Sequence, residues 1–489
     1  MEFENLDELV DRINNDLGEF CEHFQYERKR LCGISPQNKQ IIFKSSGEFA
    51  YNNGGKDQIQ YHISLNDNVK FGLGFNTQRG AFYPNDKSIV EELKPYMNAF
   101  LINEDEIKKV LPEYDFIINN RNDLIKPENN HYVLFGKEIK TNTTNGKSII
   151  DEKQYQSMLD DFKNDLFKCY KLIFDERNKI IKIQNEMEKY LKLLKSNKNI
   201  VLTGAPGTGK TYLAKKIAKK MIDNEANEVN EQYSFVQFHP SYDYPDFVEG
   251  LRPKKEKDSK ELGFELKNGI FKEFCKKAKD QPEKDFIFII DEINRAEISK
   301  VFGELFFSID PGYRGEEGKV KTQYANMQTD ETFFTDKDDD YFFVPSNVYV
   351  IATMNDIDRS VESFDFAMRR RFAWIEITAD ERKEILEEEL NTELAKIAID
   401  KMTNLNNAIC HKKENIGIDG LNSSYHIGPA YFLKLNNYPK DTEEEKFNKL
   451  WKNHLEVLLR EYLRGMPKAE DYLKELEEAY NLKSSDKTK

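Results

Sequence analysis

Three short, mostly apolar runs stand out in a chain whose other hydrophobic residues recur at helical or alternating spacing. The runs cover 199–203, 286–290 and 347–353. Runs of this length predict strands that are buried on both faces of a parallel sheet. Apolar residues at helical spacing over 212–221 follow the first run and predict a helix. This order of strand, loop, helix and further strands predicts an α/β domain.

The first 150 residues follow a different pattern. Apolar and polar residues alternate over 59–65 and again over 69–75, and Asn66–Asn68 separates the two segments. Two alternating segments joined by so short a polar stretch predict a β-hairpin. One further strand and two helices are expected at 132–135, 5–30 and 89–100, although Pro95 weakens the last helix. Region 1–150 is therefore predicted to be a compact α+β domain.

Helical spacing dominates two later regions. Apolar residues recur at three- and four-residue steps over 151–198, which predicts one or two long amphipathic helices. These helices are either a connector between domains or ordinary packing helices. From 379 to 489 the composition turns to Glu, Leu, Lys and Ala at helical spacing, which predicts a helical lid. The α/β domain then covers 199–378, with insertions expected at 236–270 and 312–343.

The loop after the first apolar run carries a phosphate-binding motif. Gly204–Thr211 matches G-x-x-x-x-G-K-[ST] at every fixed position. Its glycines let successive backbone N–H groups face one anion, and the following helix adds its positive dipole end. Lys210 can reach the β- and γ-phosphates, and the Thr211 hydroxyl can ligate Mg²⁺. The alternative, a Gly-rich turn before an ordinary helix, does not account for the full motif. The predicted nucleotide-binding residues are Gly204, Ala205, Pro206, Gly207, Thr208, Gly209, Lys210, Thr211 and Tyr212.

Polar residues end the other two apolar runs. Asp291 and Glu292 follow the second run, about eighty residues after the phosphate-binding motif. Asp291 would hold Mg²⁺, and Glu292 would polarise the attacking water. Asn355 follows the third run, where its amide could hydrogen-bond the water or the γ-phosphate. The alternative for the two carboxylates is a core strand that runs into a solvated turn, which is less expected after a P-loop.

Three cations lie between apolar residues at 366–372. Arg369, Arg370 and Arg371 form a cluster suited to an arginine finger, which stabilises transition-state charge and is often supplied by another subunit. The alternative is a solvated basic turn, since charge runs usually lie on solvated faces.

Taken together, these motifs resemble an AAA+ module, and their details resemble the McrB family, whose members are GTP-hydrolysing motors of modification-dependent restriction systems. The resemblance spans about 185–470. The segments that carry it are Val236–Gly250, Asp291–Ala296 with Ser299–Glu304, Met354–Ser360, Ala367–Phe372, His426–Phe432 and Leu458–Tyr462.

The resemblance implies an AAA+ P-loop αβα module with a helical lid, preceded by an α+β N-terminal domain and a helical connector. It implies GTP (or ATP) and Mg²⁺ as ligands, DNA as a partner, a homo-oligomeric ring and a separate McrC-like nuclease subunit. It also implies that Asp358 lies near the phosphates. One departure stands out: where the family usually has Thr-Ala, this chain has Asp356 and Ile357.

The N-terminal domain takes the place of the family's DNA-reading domain, so the resemblance implies target recognition there. The candidate DNA contacts are Arg28, Lys29, Arg30, Lys70, Arg79 and Lys87, with Tyr51, Tyr61 and Phe82 as base-stacking candidates. The alternative for each residue is an ordinary surface cation or a core aromatic.

Length, charge and cysteine content limit the classes of protein to which the chain can belong. A chain of 489 residues has room for two to four domains. The net charge of −14 argues against a protein that coats nucleic acid, yet it allows one local basic face. Five scattered cysteines fit a reducing cytoplasm and give no zinc-site spacing. No apolar stretch reaches 18 residues and no signal peptide is evident, so a cytoplasmic protein without a membrane segment is expected.

Two other functions fit the same motifs. One is a remodelling ATPase that acts on protein complexes, as in the related MoxR-like group. The other is a DNA-sensing scaffold whose nucleotide only locks an oligomer. DNA-dependent turnover separates them from a restriction motor, because a remodeller would ignore DNA and a scaffold would barely turn over nucleotide.

Overall fold

The computed structural model describes residues 1–32, 42–46, 49–52, 58–77, 89–128, 131–222, 231–255, 262–334, 341–357, 366–411 and 416–482. The chain divides into two compact units, Met1–Glu186 and Met187–Lys489. Across the described residues, no helix combines the length and the apolar character needed to cross a membrane.

The first unit is an α+β structure, as its alternating pattern predicts. Its helices are α1 (Leu6–Leu17), α2 (Glu19–Cys32), α3 (Ile89–Ile102), α4 (Glu104–Val110), α5 (Asn122–Ile125), α6 (Glu152–Lys163) and most of α7 (Asp165–Asn197). Its strands are β1 (Glu2–Phe3), β2 (Phe43–Ser46), β3 (Phe49–Asn52), β4 (Gln60–Leu65), β5 (Val69–Asn76), β6 (Asp115–Ile118), β7 (Tyr132–Ile139), β8 (Asn142–Thr144) and β9 (Lys147–Ile149).

An antiparallel sheet in the order β2-β3-β4-β5-β7-β6 forms the centre of this unit. The predicted hairpin is confirmed, because β4 and β5 pair antiparallel with Leu65 opposite Val69. The single helix expected over 5–30 is instead two, because Gly18 ends α1 with a left-handed φ of 48°. Helices α6 and α7 place Phe162 and Tyr170 in the core with β4 and β5, so much of 151–198 lies within the first unit.

The second unit contains the predicted α/β domain and the helical region. Its helices after α7 are α8 (Lys210–Met221), α9 (Tyr244–Phe247), α10 (Ile270–Lys279), α11 (Ile298–Phe302), α12 (Leu305–Ser308), α13 (Phe366–Arg369), α14 (Glu384–Glu389), α15 (Thr392–Ile409), α16 (Pro429–Phe432), α17 (Glu443–Leu450), α18 (Glu456–Tyr462) and α19 (Ala469–Asn481). Its strands are β10 (Asn199–Thr203), β11 (Tyr233–Gln237), β12 (Glu249–Lys255), β13 (Leu262–Asn268), β14 (Phe286–Asp291), β15 (Val320–Lys321), β16 (Tyr341–Phe342), β17 (Val348–Thr353), β18 (Ala373–Glu376), β19 (Cys410–His411) and β20 (Ile416–Gly417).

A parallel sheet in the order β11-β14-β17-β10-β18 organises this unit. Alternate residues of β14 face opposite sides: Phe286, Phe288 and Ile290 join one apolar cluster, and Ile287 and Ile289 join the other. This is why the sequence runs are apolar without a break. All three predicted strands, β10, β14 and β17, are central and fully buried.

The insertion expected to be loop-rich at 236–270 is more regular than its proline and glycine content indicated. Strands β12 and β13 pair antiparallel from Glu249–Asn268 to Lys255–Leu262 and form a hairpin. Pro253 is tolerated because a two-stranded ribbon consists only of edge strands. The helices from α14 onward pack around their own apolar core, which includes Leu405, Phe432 and Leu459.

Candidate nucleotide-hydrolysis site

The phosphate loop joins β10 to α8 at the carboxyl edge of the parallel sheet. Gly204, Gly207 and Gly209 have left-handed φ values of 140°, 76° and 83°. At Gly204 a Cβ atom would lie 2.3 Å from the Ile377 carbonyl oxygen, so only glycine fits there. The loop therefore curls as the motif predicts and ends at the first turn of α8, whose backbone N–H groups suit an anion.

Lys210 begins α8 and is nearly buried. Its Nζ donates to the carbonyl oxygens of Gly204 at 3.0 Å and Ala205 at 2.8 Å. Its side chain therefore lies folded along the loop that the motif assigns to phosphates. Of the other loop residues, Thr208 is buried and donates through Oγ1 to the Ala205 carbonyl at 3.0 Å, whereas Tyr212 is exposed.

Thr211 and Asp291 meet although 80 positions separate them. Thr211 Oγ1 donates to Asp291 Oδ1 at 2.6 Å, and Thr353 Oγ1 donates to the same oxygen at 2.7 Å. Hydroxyl and carboxylate oxygens are the donors that Mg²⁺ prefers, so this pair fits the metal. Thr211 and Asp291 would hold Mg²⁺ here, and the ion would neutralise phosphate charge.

Glu292 has an unusual backbone. It lies at φ 53° and ψ 46°, a left-handed conformation that costs a non-glycine residue about 1–2 kcal/mol. Its carboxylate accepts from Asn355 Nδ2 at 2.5 Å and lies 3.5 Å from Arg295 Nε. Its backbone N–H donates to Thr353 Oγ1 at 3.2 Å. These contacts offset the strain in the Glu292 backbone and hold its carboxylate beside Asp291.

Thr353 and Arg295 were not among the predicted site residues. Thr353 ends β17 and bridges the Asp291 carboxylate and the Glu292 backbone, so it helps to fix the position of both residues. Its signal in the sequence is a hydroxyl at the last position of an apolar run. Arg295 follows Glu292 by one 3₁₀ turn and sits beside its carboxylate.

Gly428 and the start of α16 lie directly on the phosphate loop. The backbone N–H of Gly428 donates to Pro206 O at 3.3 Å, and that of Ala430 donates to Gly207 O at 3.0 Å. A Cβ atom at Gly428 would lie 2.1 Å from the Gly207 carbonyl carbon, and one at Gly207 would lie 2.9 Å from the Tyr431 ring. The helical region therefore closes one side of the site through backbone contacts.

The three arginines of the cluster differ in position. Arg369 and Arg370 are exposed, and the Arg369 guanidinium lies 5.5 Å from the centre of the Trp374 ring. Arg371 is buried, its Nε lies 3.7 Å from Asp310 Oδ2, and its carbonyl accepts from Asn199 Nδ2. Arg371 therefore packs inside its own unit, and of the three arginines Arg369 and Arg370 are the exposed ones.

The candidate DNA contacts of the first unit differ in how exposed they are. Arg28 and Tyr61 are wrong as DNA contacts, since both lie in the core: Arg28 donates to Tyr170, and Tyr61 packs against Phe24. Lys29 and Arg30 are exposed, and Lys70 is half-buried. Arg79, Phe82 and Lys87, like Asp358 of the nucleotide site, lie outside the described residues, as does the side chain of Tyr51.

Comparison with known proteins places the site in a family. Residues 199–372 match the AAA domain family of the dynein-related subfamily. The chain is 35% identical over 342 residues to the type IV methyl-directed restriction enzyme EcoKMcrB subunit of Escherichia coli K12, covering 65% of this chain and 68% of that protein. It is 28% identical over 214 residues to the type II restriction enzyme BsuMI component YdiS of Bacillus subtilis 168, covering 40% of this chain and 61% of that protein.

Among solved structures, that of C. elegans PCH-2 is 16% identical with a TM-score of 0.21, over 60% of this chain and 67% of that chain. A similarity at this level supports no functional conclusion. The AAA match covers the phosphate loop, Asp291, Glu292 and Asn355, so the second unit carries a P-loop nucleoside triphosphatase domain.

Proposed function

The chain belongs to the McrB family of AAA+ proteins, and on that premise we propose that it is the nucleotide-hydrolysing motor and DNA-recognition subunit of a restriction complex. Both curated relatives named above are parts of restriction enzymes. The observation that carries the proposal is the cluster of Thr211, Asp291, Glu292 and Asn355 beside the phosphate loop.

The chemistry follows from this cluster. Lys210 and the loop N–H groups bind the β- and γ-phosphates, and Thr211 with Asp291 would hold the Mg²⁺ that accompanies the nucleotide. Glu292 takes a proton from the attacking water. Asn355 and Arg295 hold the Glu292 carboxylate in the observed geometry, so they orient the base before the water arrives.

A homo-oligomeric ring completes the site in this proposal. Arg369 and Arg370 are exposed, and Arg295 lies beside the Glu292 carboxylate. An exposed arginine from a second copy of the chain would supply positive charge to the γ-phosphate. Cutting of DNA is assigned to a separate McrC-like nuclease subunit.

We expect the protein to hydrolyse GTP in preference to ATP, as its family membership implies. Turnover and competitive binding, measured with both nucleotides in the presence of Mg²⁺, check this. Tighter binding and faster turnover of ATP would instead favour a remodelling ATPase.

The same assay with and without DNA tests the proposed function. A restriction motor should respond to DNA and to its nuclease partner. Turnover that ignores DNA would contradict the proposal in favour of a remodeller, and nucleotide binding with almost no turnover would contradict it in favour of a scaffold.

A division of labour between the two units is also expected. A fragment that begins near residue 185 retains the phosphate loop, Asp291, Glu292 and Asn355, so it should assemble and hydrolyse nucleotide. It should lose specific DNA binding, because recognition is assigned to 1–150. The isolated first unit, Met1–Glu186, should bind DNA with an affinity that falls as salt rises, since phosphate contacts release counterions.

Filter or anisotropy binding with specific and unrelated DNA checks both fragments, with the full chain as the reference. Full specificity in the second unit, with no binding by the first, would contradict the assignment.

A further inference from the structure

Two side chains of the helical region lie on the two later glycines of the phosphate loop. A Cβ atom at Gly207 would lie 2.9 Å from both Cδ2 and Cε2 of the Tyr431 ring, and one at Gly209 would lie 2.9 Å from Ile385 Cδ1. Tyr431 belongs to α16 and Ile385 to α14, and these two helices pack against each other. The loop is therefore contacted at both glycines by neighbouring helices of one region.

These contacts reach the part of the loop that has the most conformational freedom. Gly207 and Gly209 have left-handed φ values of 76° and 83°. Glycine adopts left-handed and right-handed conformations with similar ease, so the two residues do not by themselves favour the observed shape. The side-chain hydrogen bonds of the loop end at its start, on the carbonyl oxygens of Gly204 and Ala205. The side chains from α14 and α16 fill the space beside the later glycines, so they exclude loop shapes that would enter it.

We propose that Tyr431 and Ile385 are positioning residues that hold the phosphate loop in the shape that binds nucleotide phosphates. Tyr431 acts through Gly207, and Ile385 acts through Gly209. Tyr431 is half-buried, and its hydroxyl makes no hydrogen bond to any residue that the structure describes. The role therefore belongs to the packing of its ring and not to its hydroxyl. The inference rests on the proposed nucleotide hydrolysis at this loop, and it requires neither DNA nor a nuclease partner.

Loss of these contacts should weaken nucleotide binding more than it slows hydrolysis. A loop that holds the binding shape for only a fraction of the time has a Kd raised by the inverse of that fraction. Removal of the Tyr431 ring is expected to lower this fraction to about one tenth, which raises the Kd about ten-fold. Glu292 and Asn355 are unchanged, so kcat at saturating nucleotide should stay within about two-fold of the wild type.

The test compares full-length variants at the two contacts. Tyr431→Ala removes the ring, and Tyr431→Phe keeps the ring without the hydroxyl. Ile385→Val removes only Cδ1, the atom that faces Gly209, so it tests the inference with little disturbance of the fold. Its Kd should rise about three-fold, which corresponds to the contribution of one buried carbon. The Kd values for GTP, GDP, ATP and ADP are measured together with KM, kcat and thermal melting.

Two controls carry the same changes away from the loop. Tyr438→Ala truncates another half-buried tyrosine of the helical region, whose hydroxyl lies 3.5 Å from His454 Nε2. Ile409→Val removes one carbon from the apolar core of that region. Both controls should lower the melting temperature without a change in the Kd or the KM, so they separate loop positioning from general stability.

We expect Tyr431→Ala to raise the Kd and the KM for nucleotide about ten-fold, and Tyr431→Phe to bind as the wild type does. An unchanged Kd in Tyr431→Ala or Ile385→Val would overturn the inference. So would equal weakening in Tyr431→Phe, which would assign the role to the hydroxyl, or in Tyr438→Ala, which would assign it to stability. A wild-type protein that binds no nucleotide would contradict the proposed function instead.

Discussion

Glu292→Gln is expected to retain nucleotide binding and to lose turnover by a factor of about 10²–10⁴, the usual contribution of a general base. Glutamine can keep the contact with Asn355, but it cannot take a proton from water. The phosphate loop, Lys210 and Thr211 remain intact in this variant, so affinity should be preserved. Steady-state turnover together with equilibrium nucleotide binding separates the two effects.

Two comparisons sharpen this expectation. Lys210→Ala should abolish binding itself, because it removes the charge that meets the β- and γ-phosphates. Glu297→Gln should turn over normally, since Glu297 is a partly exposed carboxylate on the same segment that pairs with Lys300. Normal turnover by Glu292→Gln would refute the role given to this carboxylate.

Loss of the arginine finger is expected to have a similar or larger effect. Either Arg369→Ala or Arg370→Ala should bind nucleotide yet turn over about 10³-fold or more slowly, as is typical when such a finger is removed. Arg371→Ala should instead lower thermal stability, because its guanidinium lies inside the unit near Asp310. Turnover, binding and thermal melts of the three variants distinguish these outcomes.

A mixing experiment tests whether the finger acts between subunits. The slow arginine variant is combined with Lys210→Ala, which has an intact finger and an inactive phosphate site. One hybrid interface then pairs a working loop with a working finger, so part of the activity should return. With assembly confirmed, no recovery at any ratio would show that the finger acts within its own subunit or lies elsewhere.

The parallel sheet and its two carboxylates could be predicted because local sequence determines them. β14 contributes apolar side chains to both faces, which leaves no polar position until Asp291 at its end. Glycine and lysine positions in the phosphate loop are likewise set by the backbone and by the anion.

The residues that hold the Asp291 and Glu292 carboxylates in place could not be predicted from the local pattern of apolar positions. Thr353 reaches Asp291 across 62 positions, and the left-handed backbone of Glu292 has no local signal because the residue is not glycine. The same limit applied to Arg28, whose charge suggested DNA but whose partner Tyr170 is 142 positions away. Long-range contacts of this kind decide whether a polar side chain lies on the surface or in the interior of the protein.

The contact between the helical region and the phosphate loop has a mechanical consequence. Gly428 has a φ of −81°, which any residue could adopt, so the backbone conformation does not require glycine. Glycine is needed because a side chain would clash with the backbone of Gly207. The two backbones touch there, and Ala430 hydrogen-bonds the loop. Because α15 to α19 share one apolar core, this contact ties the phosphate loop to the whole helical region and not to a single segment. A change of loop shape on phosphate binding would therefore be transmitted to all of these helices together.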